Sequence, residues 1–184
     1  MTQYKRRRKS RTDYNARLNL IKSGKLRLVA RMSLKNIILQ IIEYKKDGDV
    51  VLIAAHSNEL KRYGWLYSKT NISAAYLLGL LVAIKAKKKN FKEAIFDSGL
   101  KKAIHSGVLF AVLNGAVNGG LKIPHNPDIF PTEARINGEH VAKYAKMLNN
   151  EEYTKRFGNY AKLNLKPEDM KKKFDEAKNN ILRS

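Results

Sequence analysis

A chain of 184 residues with 43% hydrophobic side chains and only four prolines is long enough to bury a core as one domain with an appendage, and its composition excludes a disordered protein. Its 37 Lys and Arg against 16 Asp and Glu leave a net charge of +21, which points to a polyanionic partner, nucleic acid first. With no cysteine there is no disulfide framework, thiol nucleophile or cysteine-ligated metal, which fits the cytoplasm.

The charge is front-loaded. Residues 1 to 31 hold eleven Lys and Arg against the single Asp13, a net of +10. Within them "YKRRRKSRTDYNAR" (4 to 17) precedes any apolar periodicity, and residues 1 to 12 are expected to form a flexible arm. "TDYNARLNLIKSG" predicts a short helix capped by Thr12 or Asp13 and stopped at Gly24. Three runs of β character follow. "LRLVARM" (26 to 32) alternates Arg27 and Arg31 against Leu28, Ala30 and Met32. "NIILQIIEY" (36 to 44) and "VVLIAAH" (50 to 56) flank "KKDGDV", whose Asp47-Gly48 signals a tight hairpin, so the three strands predict an antiparallel meander.

The period then changes. "NISAAYLLGLLVAIKAKKKN" spaces Leu77, Leu81 and Ile84 as a helix, with Thr70 or Asn71 as cap and four lysines to complement its carbonyl end. Its apolar run of residues 74 to 84 is too short to span a bilayer. "KEAIFDSG" (92 to 99) predicts a short strand and turn. "SGVLFAVLNGAVNGG" (106 to 120) predicts a second helix. Its glycines read as packing and cap, since a phosphate loop would open a helix rather than end one. "LKIPHNPDIFP" is an extended loop, and from about 137 the chain is helical, with Pro167 opening the last helix. The expected class is α/β: a mixed sheet with a three-strand meander and then βα units, in a ribonuclease-H-like layout, plus a basic arm and a helical tail. The expected division is 1–24 arm and short helix, 25–136 core, and 137–184 helical extension.

That layout raises a Mg²⁺-dependent nuclease as an alternative, with Asp97 at a strand end as its best-placed carboxylate. Its partners fail to converge. Asp47 and Asp49 belong to the predicted hairpin, and Glu43 and Glu59 have no reason to meet them; Asp97 more simply holds the Ser98-Gly99 turn. The histidines at 56, 105, 125 and 140 are too scattered for a metal site, and no phosphate-binding or nucleophile motif is present. The expectation is no catalytic residue, no metal, no cofactor and no small-molecule substrate.

The binding signal is stronger. In the arm Arg6, Arg7, Arg8, Arg11 and Arg17 outnumber Lys5 and Lys9, and guanidinium both clamps phosphate and stacks on bases. Thr12 sits among them, and Tyr4 and Tyr14 bracket the cluster for stacking. Lys25, Arg27, Arg31 and Lys35 carry the charge onto and around the first strand. A membrane arm would need an apolar face that residues 1 to 17 lack, and a nuclear address would explain only a few residues. A non-specific DNA-compacting protein is a further alternative.

"KRRRKSRTDYNAR", "LRLVAR", "AAHSNELKRYGW", "TNISAAYLLGLLVA", "FDSGL", "LNGAVNGGLKIPHN" and "GEHVAKYAKML" occur in one order that resembles the large-ribosomal-subunit family that binds 5S rRNA, number eighteen in bacteria and archaea and number five in eukaryotes. The closing helical stretch is similar to that of archaeal and eukaryotic members, and the archaeal branch fits best. The chain departs from the family in having Lys9-Ser10-Arg11 before the Thr-Asp-Tyr, and Leu26 where a proline is common. The resemblance implies a non-enzymatic protein of the cytoplasmic ribosome. Its arm and basic strand would lie on 5S rRNA and anchor it to the central protuberance, beside the large rRNA and neighbouring ribosomal proteins.

Overall fold

In the computed structural model, which describes residues 3–184, two helical pieces precede the sheet. α1 (Lys5–Arg8) is a single helical turn within the stretch read as a flexible arm; Met1 and Thr2 lie outside the described residues. α2 (Tyr14–Lys22) begins at Asp13, whose carboxylate accepts hydrogen bonds from the backbone N–H groups of Asn15 and Ala16 at 3.0 and 3.1 Å. Asp13 rather than Thr12 therefore satisfies the orphan donors of the first turn.

Four strands form one mixed sheet in the order β3-β2-β1-β4. They are β1 (Arg27–Met32), β2 (Ile37–Glu43), β3 (Val50–His56) and β4 (Ile95–Asp97). The meander forms as predicted, and β4 joins β1 in parallel. A parallel neighbour requires a crossover, which α3 (Ile72–Lys88) supplies, capped by Asn71. The tight Asp47-Gly48 hairpin does not form. A bulge between Ile41 and Ile42 shifts the β2–β3 register, and Asp49 turns inward to meet Arg17 and Arg27, so residues 44 to 49 make a wider loop.

Alternation gives the two sheet faces different neighbours. Leu28, Ala30, Leu39, Ile41, Ile53 and Ala55 point inward, all buried in the core beneath α3. α4 (Val108–Asn118) crosses α3 at a glycine contact. A Cβ on Gly79 would lie 2.1 Å from the Val112 carbonyl oxygen, and one on Gly115 would lie 2.0 Å from that of Tyr76. Three short helices, α5 (Glu133–Ile136), α6 (Glu139–Met147) and α7 (Asn150–Ala161), lead to α8 (Met170–Leu182). A 3₁₀ turn starting at Pro167 precedes α8, which adds Met170, Phe174, Ala177 and Ile181 to the same core as the sheet.

The free edge of β3 is closed by side chains. Lys85 and Lys89 donate to the carbonyls of Ala54 and Leu52 at 3.0 and 2.9 Å. Glu59 accepts from His56 N–H at 2.8 Å and pairs with Lys85 at 2.6 Å. Burial pushes the Glu59 carboxyl up, but the Lys85 ammonium and the His56 N–H outweigh it and hold the group below its ordinary value. These two lysines do more than complement the helix dipole: they occupy acceptors that another strand would otherwise use. Among the described residues no helix is long and apolar enough to cross a membrane.

Candidate nucleic-acid interface

The outer sheet face carries Arg27, Val29 and Arg31 from β1 opposite Ile42, Gln40 and Ile38 from β2. α2 lies over one half of this face. Under it Val29 and Ile42 are buried, and Arg27 with them at 3% exposure, while Arg31 and Ile38 are exposed beyond it. Between the arm and α2 on one side and the sheet and the loop after β4 on the other lies an open groove of about 590 Å³, which reaches Val29 and Ile42 as well as Arg31.

Arg27, read from sequence among the RNA contacts, is buried in an ion-pair cluster. One guanidinium nitrogen donates to Asp49 at 2.6 Å and the other to Asp97 at 3.0 Å, so the side chain is engaged by carboxylates in the floor of the groove. Arg17 donates to the same Asp49 oxygen at 3.0 Å and thereby ties α2 to the sheet. Asp97 also accepts from the backbone N–H of Gly99 at 2.9 Å, the turn-holding role expected of it. Arg27 Nε and Asp49 Oδ1 remain buried without hydrogen-bond partners. The cluster is thus a device for fixing geometry more than a source of net stability.

Arg6, Arg11, Thr12, Arg17 and Arg31 do come together around the groove. Thr12 accepts a hydrogen bond from Arg6 Nε at 2.8 Å, which aims that guanidinium while leaving its terminal nitrogens for a ligand. Tyr14 packs on Tyr4 with ring centroids 5.2 Å apart and the ring planes tilted by 36°, so each tyrosine covers part of the other. Lys5, Arg7, Arg8 and Lys9 are exposed on the arm but do not line the groove. Lys25 pairs with Glu93 at 2.9 Å at the opposite end of β1, and Lys35 stands exposed in the β1–β2 turn. Sequence reasoning missed Lys101, which lines the groove from the loop after β4; the "GLKK" following the strand was its only signal.

Exposed guanidinium groups from two separate elements, converging over a sheet, define a basic α/β protein suited to holding a nucleic-acid backbone. The chain belongs to the family of ribosomal large-subunit proteins 60S L5 and 50S L18, whose model matches residues 1–92. It is 44% identical over 178 residues to the large ribosomal subunit protein uL18 of Methanothermobacter thermautotrophicus, covering 97% of this chain and 93% of the relative. To uL18 of Methanobrevibacter smithii it is 46% identical over 178 residues, covering 97% and 92%. The protein is therefore an RNA-binding constituent of the large subunit of the cytoplasmic ribosome, of the archaeal type, and not an enzyme. Its place in the subunit gives it rRNA and ribosomal proteins as partners.

Proposed function

We propose that this chain binds 5S rRNA and anchors it to the central protuberance, against the large rRNA and neighbouring ribosomal proteins. The observation that carries the reading is the convergence of Arg6, Arg11 and Arg31 on one groove. Phosphates seated there release condensed counterions, which supplies most of the affinity. With roughly six such contacts the log–log dependence on salt has a slope of about −4 to −5. Lys5, Arg7, Arg8 and Lys9 extend the field along the arm, and Tyr14, Lys25 and Lys35 lie on the path the RNA takes past α2 and the sheet. Specificity comes from loops, 2′-hydroxyls and unstacked bases, because the major groove of an A-form helix is too deep and narrow for side chains.

In this reading residues 1–24 and 25–136 hold the RNA. The helical residues 137–184, with Met147 and Leu163 exposed, serve protein neighbours. The strand order supports a ribonuclease-H-like core as a shared architecture without its activity. The nuclease alternative loses its best carboxylate to Arg27. Among the described residues no three His, Asp or Glu side chains gather as metal ligands.

Changing Arg6, Arg7 and Arg8 together to Ala is expected to weaken binding to every RNA and to lower the salt slope by about one to three. Filter binding over a range of KCl concentrations measures it. A slope equal to that of the unmodified protein would place the arm away from the RNA.

A further inference from the structure

β1 and β4 are adjacent and parallel, so the turn after β1 and the loop after β4 leave the sheet at the same end; Met32, just before that turn, and Leu100 and Lys101, in that loop, line the groove. The first carries Leu34 on a turn closed upon itself. Ser33 N–H donates to the Asn36 carbonyl at 2.8 Å, and Asn36 N–H donates to Ser33 Oγ at 3.0 Å. That rigid turn leaves Leu34 98% exposed. The second carries Leu100, 56% exposed, and Ile104, 71% exposed. One exposed leucine is ordinary on a protein surface, whereas three large apolar side chains at one end of a sheet call for a partner.

The charges around them say which. Arg31, Lys35, Lys101 and Lys102 stand beside these side chains in the same strand ends and loops, and all four are exposed. An apolar protein partner would meet a concentration of like charge there, whereas a polyanion is drawn to it. A paired duplex offers phosphates but hides its base faces; an unstacked nucleotide offers both a phosphate and an apolar ring. We infer that Leu34 and Leu100, with Ile104, form an apolar lip that receives unstacked bases of an RNA loop whose backbone lies in the groove. The inference rests on the groove being the RNA site. It adds the residues that separate looped from duplex RNA, a discrimination that the arginines, acting on phosphates, do not supply.

The test compares a stem-loop RNA with a blunt duplex RNA of equal length, each titrated with the full chain across a range of salt. In the Leu34→Ser, Leu100→Ser double variant, affinity for the stem-loop falls on the order of tenfold while duplex affinity stays within about twofold, as loss of base-face contacts predicts. The salt slope is unchanged, because an uncharged contact releases no counterions. Leu34→Phe, which enlarges the stacking face, retains or tightens stem-loop binding. Unchanged stem-loop affinity in the double variant, as a protein-contact role for the lip would give, overturns the inference. Equal losses on both RNAs also overturn it. If the unmodified protein binds neither RNA with a salt slope, the groove reading fails instead; normal binding with an unaffected double variant sinks the lip alone.

Discussion

Gly115→Ala lowers the unfolding midpoint by roughly 6–12 °C, corresponding to about 3 kcal/mol in a domain of this size. The methyl group would sit 2.0 Å from the Tyr76 carbonyl oxygen, 2.9 Å from its carbon and 3.0 Å from Leu80 N, all of them backbone atoms of α3. None can rotate aside, so α3 and α4 must separate, and the contact between them loosens along its length. Gly79 faces the reciprocal obstacle at Val112, and Gly79→Ala is expected to cost a similar amount. Gly158→Ala is the control. That glycine lies within α7, and a methyl group on it would have no atom within 4 Å, so alanine there stabilises the helix by up to about 1 kcal/mol. Thermal unfolding followed by circular dichroism at 222 nm measures all three. A Gly115→Ala midpoint within 2 °C of the unmodified protein would mean that α3 and α4 do not cross this closely.

Arg27→Met destabilises the fold by about 3–5 kcal/mol, while Arg31→Met, four residues along the same face, leaves stability within about 0.5 kcal/mol and weakens RNA binding. The first substitution strands two partly buried carboxylates. Asp49 and Asp97 lose the cation between them, and Asp49 keeps only Arg17, which α2 holds from outside. The second removes an exposed guanidinium that lines the groove. Urea unfolding and filter binding on both variants separate the roles. Equal stability in the two variants would show that the Arg27 cluster carries no structural load, and equal RNA affinity would return Arg27 to the contact set.

These two arginines mark how far the sequence can be read. In "LRLVARM" they occupy equivalent positions in an alternating strand, and nothing local distinguishes them. Their fates diverge because α2 folds back over the first half of β1, a tertiary contact set by Arg17 and Asp49 across 32 positions of sequence. The same contact explains the misread hairpin. Asp47-Gly48 is a sound local signal, but Asp49 is drawn beneath α2 and the loop widens to let it reach. Local patterns decided much of the rest: an alternating first run, an Ile-rich second and an apolar third gave the meander, Asn71 began α3, and the glycines of "GAVNGG" serve packing and cap, Gly115 against Tyr76 and Gly119 both ending α4 and abutting Ala83. Lysines 85 and 89 were legible as a helix terminus. Their hold on the β3 edge was not, since it depends on which strand lies at the edge of the sheet.

The most direct test of the account is a competition titration of the full chain against 5S rRNA, an unrelated structured RNA of equal length and duplex DNA, at two salt concentrations with Mg²⁺ present and RNA integrity checked afterwards. Specific recognition of 5S rRNA predicts a preference for it over both competitors that persists at the higher salt, with every RNA intact. Equal affinities that collapse together as salt rises would contradict 5S recognition and leave a basic surface without specificity; cleaved RNA would contradict the structural role itself.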